Sequence, residues 1–167
     1  LEDHNFPKAE IEAAGYQVAF SGQKTYNGVA LLSKYPLSDV RRGLPGVDAS
    51  GFEAEFEQAR YIEAVIECPR PVRVGCLYLP NGNPQPGPKF DYKLAWFERL
   101  IRYAKDLQSS DHPVVLAGDY NVVPTDLDIY NPRSWLKDAL LQPETREAGS
   151  EPLDLLTLHG DLPVEAE

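Results

Sequence analysis

An aspartate and an asparagine two residues apart, Asp119 and Asn121, stand where the apolar run Val114–Ala117 ends and Gly118 loosens the backbone. If the chain stays extended through them, both side chains project to one side. An ionised Asp only accepts hydrogen bonds, whereas an Asn both accepts and donates. One member of such a pair can orient a water while the other holds a phosphoryl oxygen. The uninterrupted run before them is the pattern of a strand buried on both faces. At the carboxyl end of such a central strand, open α/β sheets bind their ligands. Taken alone, Gly118-Asp-Tyr-Asn121 also reads as an ordinary turn, because Gly, Asp and Asn dominate turns for backbone reasons, and that reading has the edge.

These groups need a frame to hold them. Val72–Leu79 is strand-like and has Tyr78 at its end. The prolines and glycines of Pro80–Pro88 exclude regular structure there, which makes a candidate site loop carrying Asn81. Lys89–Gln108 predicts the clearest helix: Phe90, Leu94, Phe97, Ile101, Ala104 and Leu107 recur at spacings of three and four, and Trp96 and Leu100 widen the stripe. Such a stripe packs a core and carries no chemistry. Arg60–Glu67 alternates, with Ile62, Ala64 and Ile66 on one face. Upstream, Pro7 and Gly15 bracket a short helix over Lys8–Ala14, and Tyr16–Phe20 and Gly28–Ser33 make a hairpin through the Ser21–Asn27 loop. Tyr35–Glu57, rich in Gly, Pro, Asp and Ser, reads as loop with one short strand. Beyond Asn121, Thr125–Asp128 predicts a capped turn and Ser134–Leu141 a second helix.

Four segments, in order, resemble the exonuclease III branch of the apurinic/apyrimidinic DNA endonucleases. They are Asn27–Ser33, Gln58–Ala64, Leu77–Gly82, and Gly118–Asn121 continued by Pro124-Thr-Asp-Leu-Asp-Ile-Tyr-Asn-Pro132. The resemblance covers residues 1 to about 147 and leaves 148–167 unmapped. Inositol phosphatases and sphingomyelinases share the short Gly-Asp-x-Asn signature and are not expected to carry its Pro-Thr-Asp-Leu-Asp continuation. The resemblance implies an α/β fold, a mixed sheet with outer helices forming part of a four-layer sandwich, in a single domain over 1–167. It implies metal-assisted phosphodiester hydrolysis, with Mg²⁺ or Mn²⁺, on duplex DNA bearing abasic sites or 3′ blocks, by a monomer.

Transferred residue by residue, Asp119 orients and deprotonates the attacking water, Asn121 holds an oxygen of the water or phosphate, and Tyr78 supports the scissile phosphate. Asn81, Arg60 and Tyr26 are the implied substrate contacts. Each has a plain alternative: Tyr78 as a core aromatic, Asn81 as a Pro-Asn-Gly turn residue, Tyr26 as an exposed loop aromatic, and Arg60, with Lys24 and Lys89, as solvated charge. The family's principal metal-binding Glu and its essential His are not at matching positions, so no metal ligand is certain; Asp119 and Asn121 are the possible ones. His4, His112 and His159 read as surface or structural. On this ground the segment alone is expected to be inactive, and an apolar sheet face is expected to lie uncovered. A non-catalytic nucleic-acid- or protein-binding regulator on the same fold is the competing reading, and intact Tyr78, Asp119 and Asn121 weigh against it.

Bulk properties set the outer bounds. A chain of 167 residues, 43% hydrophobic and 25% charged, can build one real core. No apolar stretch approaches a membrane span and no secretory pattern opens the residues, which points to the cytoplasm. Cys68 and Cys76 are too few for a disulfide framework and suit no metal motif. The net charge of −10 sits awkwardly with DNA binding, so any basic contact surface must be a local rim. No methionine occurs anywhere, position 1 included, and the chain reads as part of a longer protein.

Overall fold

The computed structural model describes residues 1–46 and 58–157, with residues 151–157 as backbone only. The expected loop therefore falls partly, at 47–57, outside the described residues, and so do His159 and the rest of 158–167.

The elements that frame Asp119 form where the apolar periodicities place them. In chain order they are α1 (Lys8–Ala13), β1 (Gln17–Ser21), β2 (Val29–Ser33), β3 (Leu37–Arg42), β4 (Tyr61–Ile66), β5 (Val72–Tyr78), α2 (Pro88–Leu107), β6 (Val114–Asp119) and α3 (Pro143–Thr157). β1 and β2 make an antiparallel hairpin. The other four strands form one mixed sheet in the order β3-β4-β5-β6, antiparallel except for the parallel β5–β6 pair. A parallel pair needs a crossover, and α2 supplies it. The α/β class is as expected.

Two cores sandwich the sheet. On one face Tyr61, Leu77, Leu79 and Leu116 pack against Trp96, Phe97, Leu100, Tyr103, Ala104 and Leu107 of α2. On the other, Ile62 and Ala64 meet Ala19, Val29 and Leu31 of the hairpin, with Val74, Cys76 and Tyr78 half-buried beside them. Most of the expected α2 stripe is buried, although Leu94 is only half so.

Several expectations need correction. The alternation of β4 set Ile62, Ala64 and Ile66 on one face, but burial does not alternate with it: Tyr61, Ile62, Glu63, Ala64 and Val65 are all buried. The strand lies between the hairpin and α2, so alternation tells which residues share a face without telling that either face is wet. β6 was expected to be central; it is the sheet's edge among the described residues, and Val115 is 47% exposed while Leu116 turns inward. The expected uncovered apolar face thus amounts to Val115 and Ala117 on this strand. Ser134–Leu141 is two short 3₁₀ turns, Pro132–Trp135 and Ala139–Leu141, because Asp138 accepts from Leu140 N at 2.9 Å and restarts the chain. The helix in this region is α3, which the sequence hid behind Gly149 and Pro152. The capped turn is present: the Thr125 side chain accepts from Leu127 N, and Asp128 accepts from Thr125 N at 2.9 Å.

Gly118 is the one position at the strand end that tolerates no side chain. Its φ is +144°, and a Cβ there would lie 1.9 Å from the Leu77 carbonyl oxygen. Gly118→Ala is expected to destabilise the protein by about 2–3 kcal/mol, through backbone strain and separation of β5 from β6. Urea unfolding checks it, and a change below about 0.5 kcal/mol would contradict this reading of the strand end.

Candidate active site at the carboxyl ends of β5 and β6

Parallel pairing sets Tyr78 directly opposite Asp119. Residues in register on adjacent strands fall on one face of the sheet, here the face turned to the hairpin. Past these residues the two strands separate into the Pro80–Gly87 loop and the turn at Asn121. Leu79 N still donates to Asp119 O at 2.8 Å, so the strands stay joined up to the point where they part.

Asp119 is exposed and organises the turn that follows. Its Oδ1 accepts from Asn121 N at 2.8 Å, and its Oδ2 lies 3.4 Å from Asn121 Nδ2. This is the turn chemistry expected of a short acidic side chain, and it holds Asn121 at φ +46°, in the left-handed region. Asn121 Nδ2 also donates to Leu79 O at 2.8 Å, while its Oδ1 lies 3.4 Å from Asn81 Nδ2. Asn81 in turn accepts from Asn83 N at 3.1 Å and from Asn83 Nδ2 at 2.9 Å. A carboxylate and three carboxamides therefore form one continuous hydrogen-bonded group across the two loops.

Tyr78 makes its contacts on the other side, with Arg60. Arg60 Nη1 donates to Tyr78 O at 3.0 Å, Tyr78 N donates to Arg60 O at 2.8 Å, and the guanidinium carbon lies 5.1 Å from the Tyr78 ring centre. Burial lowers the Arg60 pKa from its usual value, and Tyr92 and Tyr78 oppose that shift. A cleft of about 430 Å³ opens here, walled by Tyr26, Arg60, Tyr78, Asn81, Lys89 and Tyr92 among others. Tyr26 is 75% exposed at its rim. Asp119 and Asn121 are not among its walls; they adjoin it through Asn81. His4 is exposed, and His112 lies before β6, beside a separate cleft with Arg41, Arg73 and Tyr103, the end of the sheet remote from Asp119.

Sequence reasoning missed Lys93. It lies on the apolar stripe of α2, three residues after Phe90 and four before Phe97, and is fully buried. Its Nζ donates to the carbonyls of Pro80 at 3.1 Å, Asn81 at 3.2 Å and Asn121 at 2.5 Å. Burial pushes its pKa down to about 8, against the attraction of Asp138 and Asp119. A lysine in the middle of an aromatic stripe was the available signal.

Among the described residues no three His, Cys, Asp or Glu side chains converge. Asp119 and the Asn121 amide offer three hard oxygens, and all three already accept hydrogen bonds. A divalent ion of the Mg²⁺ kind wants six oxygens in near-octahedral array. The described residues do not make that site by themselves.

A sequence model of the endonuclease/exonuclease/phosphatase family matches residues 2–163. The chain belongs to this family. Within the family its relatives are of the exonuclease III and AP endonuclease kind that the four motifs resemble. Exodeoxyribonuclease III of Haemophilus influenzae is 33% identical over 147 residues, covering 82% of this chain and 51% of that protein. An exodeoxyribonuclease of Bacillus subtilis is 30% identical over 143 residues, covering 84% of the chain and 52% of its own length. Among solved structures, a 3′ phosphatase from Neisseria bound to a product DNA hairpin superposes with a TM-score of 0.80 at 35% identity, covering 93% of this chain and 57% of that one. The chain spans about half the length of the curated relatives it matches. In this endonuclease/exonuclease/phosphatase chain no helix among the described residues is long and apolar enough to cross a membrane.

Proposed function

We propose that this chain carries the Tyr78–Asp119–Asn121 portion of a DNA-repair phosphoesterase that hydrolyses phosphate esters at abasic sites and 3′ ends of duplex DNA. What supports it most is the meeting of a carboxylate, two carboxamides and a tyrosine where two parallel strands part, beside a cleft with Arg60 and Lys89. A turn built only for its backbone needs Asp119 and Asn121; it does not need Asn81 reaching across to Asn121, nor a cationic wall.

In this reading the phosphate enters the cleft on the Arg60 and Lys89 side, where positive charge meets its oxygens. Asn81, and Asn121 in place of its long 3.4 Å contact with Asp119, donate to those oxygens as negative charge grows on them, and donors fixed in advance lower the barrier most. Asp119, exposed and adjacent, takes one proton from the attacking water as its oxygen bonds to phosphorus. The bond to the departing oxygen breaks on the opposite side. Tyr26 at the rim meets the neighbouring phosphate or base. In this cluster Asp119 and the Asn121 amide oxygen are the groups that could contribute ligands to a divalent ion, Mg²⁺ or Mn²⁺, which when bound would supply positive charge to the phosphoryl oxygens.

The test is hydrolysis by the complete gene product, supplied with Mg²⁺ or Mn²⁺, of two duplexes: one with a single abasic site and one ending in a 3′-phosphate. Strand incision or phosphate release at an ordinary enzyme rate is the expected result. Tight binding of both duplexes with no cleavage under either metal would instead establish a non-catalytic binder.

A further inference from the structure

An ammonium group has three N–H bonds, and Lys93 gives all three to backbone carbonyls of the site loops. Two of those carbonyls, on Pro80 and Asn81, belong to the loop leaving β5; the third, on Asn121, belongs to the turn leaving β6. The contact is not an ion pair, because no carboxylate among the described residues touches the nitrogen and Asp138 and Asp119 act on it only at longer range. Packing does not explain it either. Position 93 shares its helix face with Phe90 and Phe97, and an apolar residue there would fill the space without a buried charge.

What the cation does is local. The side-chain contact between Asn81 and Asn121 is long, 3.4 Å, and holds the two loops together weakly. Asn121 sits at φ +46°, a conformation an asparagine adopts at a cost. The Asn121 carbonyl bound by Lys93 fixes that conformation from the opposite side to Asp119, which binds the Asn121 N–H. Gly82, at φ +90°, lets the β5 loop close on the lysine stem: a Cβ there would lie 2.6 Å from Lys93 Cδ.

We propose that Lys93 is the positioning residue of this site: by binding the Asn81 and Asn121 carbonyls at once, it sets the gap across which their side-chain amides meet and hold one phosphate. The inference rests on the phosphoesterase reading for the phosphate, but the positioning itself does not. A misplacement of about 1 Å costs on the order of 10² in rate, so Lys93→Met in the complete gene product should lower kcat about 10–100-fold on the 3′-phosphate duplex. KM should move less than about threefold, because Tyr26, Arg60 and Lys89 of the cleft wall make no contact with the Lys93 ammonium group. Lys93→Arg, which keeps a cation with several donors, should recover most of the loss.

A second readout needs no activity. The side-chain amide signals of Asn81 and Asn121 should move in the ¹H–¹⁵N spectrum of Lys93→Met, while that of Asn5 stays put. Unmoved Asn81 and Asn121 signals in a folded Lys93→Met protein overturn the proposal. So does loss of dispersion throughout the spectrum in both variants, which would make Lys93 a general core residue. If the unsubstituted protein hydrolyses neither duplex, the functional reading fails and the spectra still decide the role of Lys93.

Discussion

Asp119→Asn is expected to lower kcat about 10²–10⁴-fold on abasic and 3′-phosphate duplexes, the range for removing a general base, with almost no change in the unfolding midpoint. The two halves of this expectation come from different atoms. The carboxylate's ability to take a proton is lost, since an amide oxygen is far too weak a base at neutral pH. Its structural duty is kept: the Asn oxygen can still accept from Asn121 N, the 2.8 Å bond that shapes the turn. The new amide nitrogen meets Asn121 Nδ2, but that contact is already long at 3.4 Å, and Nδ2 keeps its 2.8 Å bond to Leu79 O. Asp119 is exposed, so substitution there stays within about 0.5 kcal/mol of stability. Steady-state kinetics and urea unfolding of the same preparation check both halves. A kcat within threefold of the unsubstituted protein would remove Asp119 from the chemistry. A large loss of stability would make it a turn residue first.

The residues at this strand end were legible through the family resemblance, since Gly118-Asp-Tyr-Asn121 alone reads as an ordinary turn. Gly118-Asp-Tyr-Asn121 after an apolar run, with Tyr78-Leu-Pro-Asn81 after another, marks two strands ending in polar side chains. Parallel pairing of those strands then forces Tyr78 opposite Asp119. Lys93 could not be read the same way. Its partners are three backbone carbonyls, and carbonyls leave no trace in a sequence. The strand Val114–Asp119 shows a related limit. Four consecutive apolar residues indicate that the strand can be buried on both faces, but they do not fix which neighbours supply the cover. Among the described residues only the Leu116 side is covered, by α2. The helix over Pro143–Thr157 was hidden for a third reason: Gly149 and Pro152 are poor helix residues by propensity, and tertiary contact overrides propensity. Gly149 lies so close to Val122 that a Cβ would stand 3.3 Å from its methyl carbons, and Arg146 Nε donates to Val123 O at 2.9 Å. The helix that looked unpromising thereby braces the chain just beyond Asn121.

Glu63 is a residue whose burial the alternation of its strand does not reveal, and it carries the largest expected effect on stability. Alternation puts it on the face opposite Ile62 and Ala64, and there it is fully buried beneath α2. There it collects a Tyr61 hydroxyl at 2.8 Å, a Tyr103 hydroxyl at 2.8 Å from both oxygens, and Arg73 Nη1 at 2.8 Å. Arg73 is shared with Asp39 at 2.6 Å, and Arg41 closes the group 3.5 Å from Glu63, so two carboxylates face two guanidinium groups. Removing one member of a buried pair leaves the others desolvated and unmatched, which costs about 3–5 kcal/mol. Glu63→Ala is therefore expected to destabilise the protein by that amount, read from urea unfolding. Replacing both partners by apolar residues of similar size, Glu63→Leu with Arg73→Met, should cost much less, because no buried charge is then left alone. If the single change costs under about 1 kcal/mol, water reaches the network and Glu63 does not anchor α2 to the sheet. If the double change costs as much as the single one, the loss comes from packing around Tyr61 and Tyr103, whose rings meet edge to face at 6.0 Å, and the charges themselves contribute little.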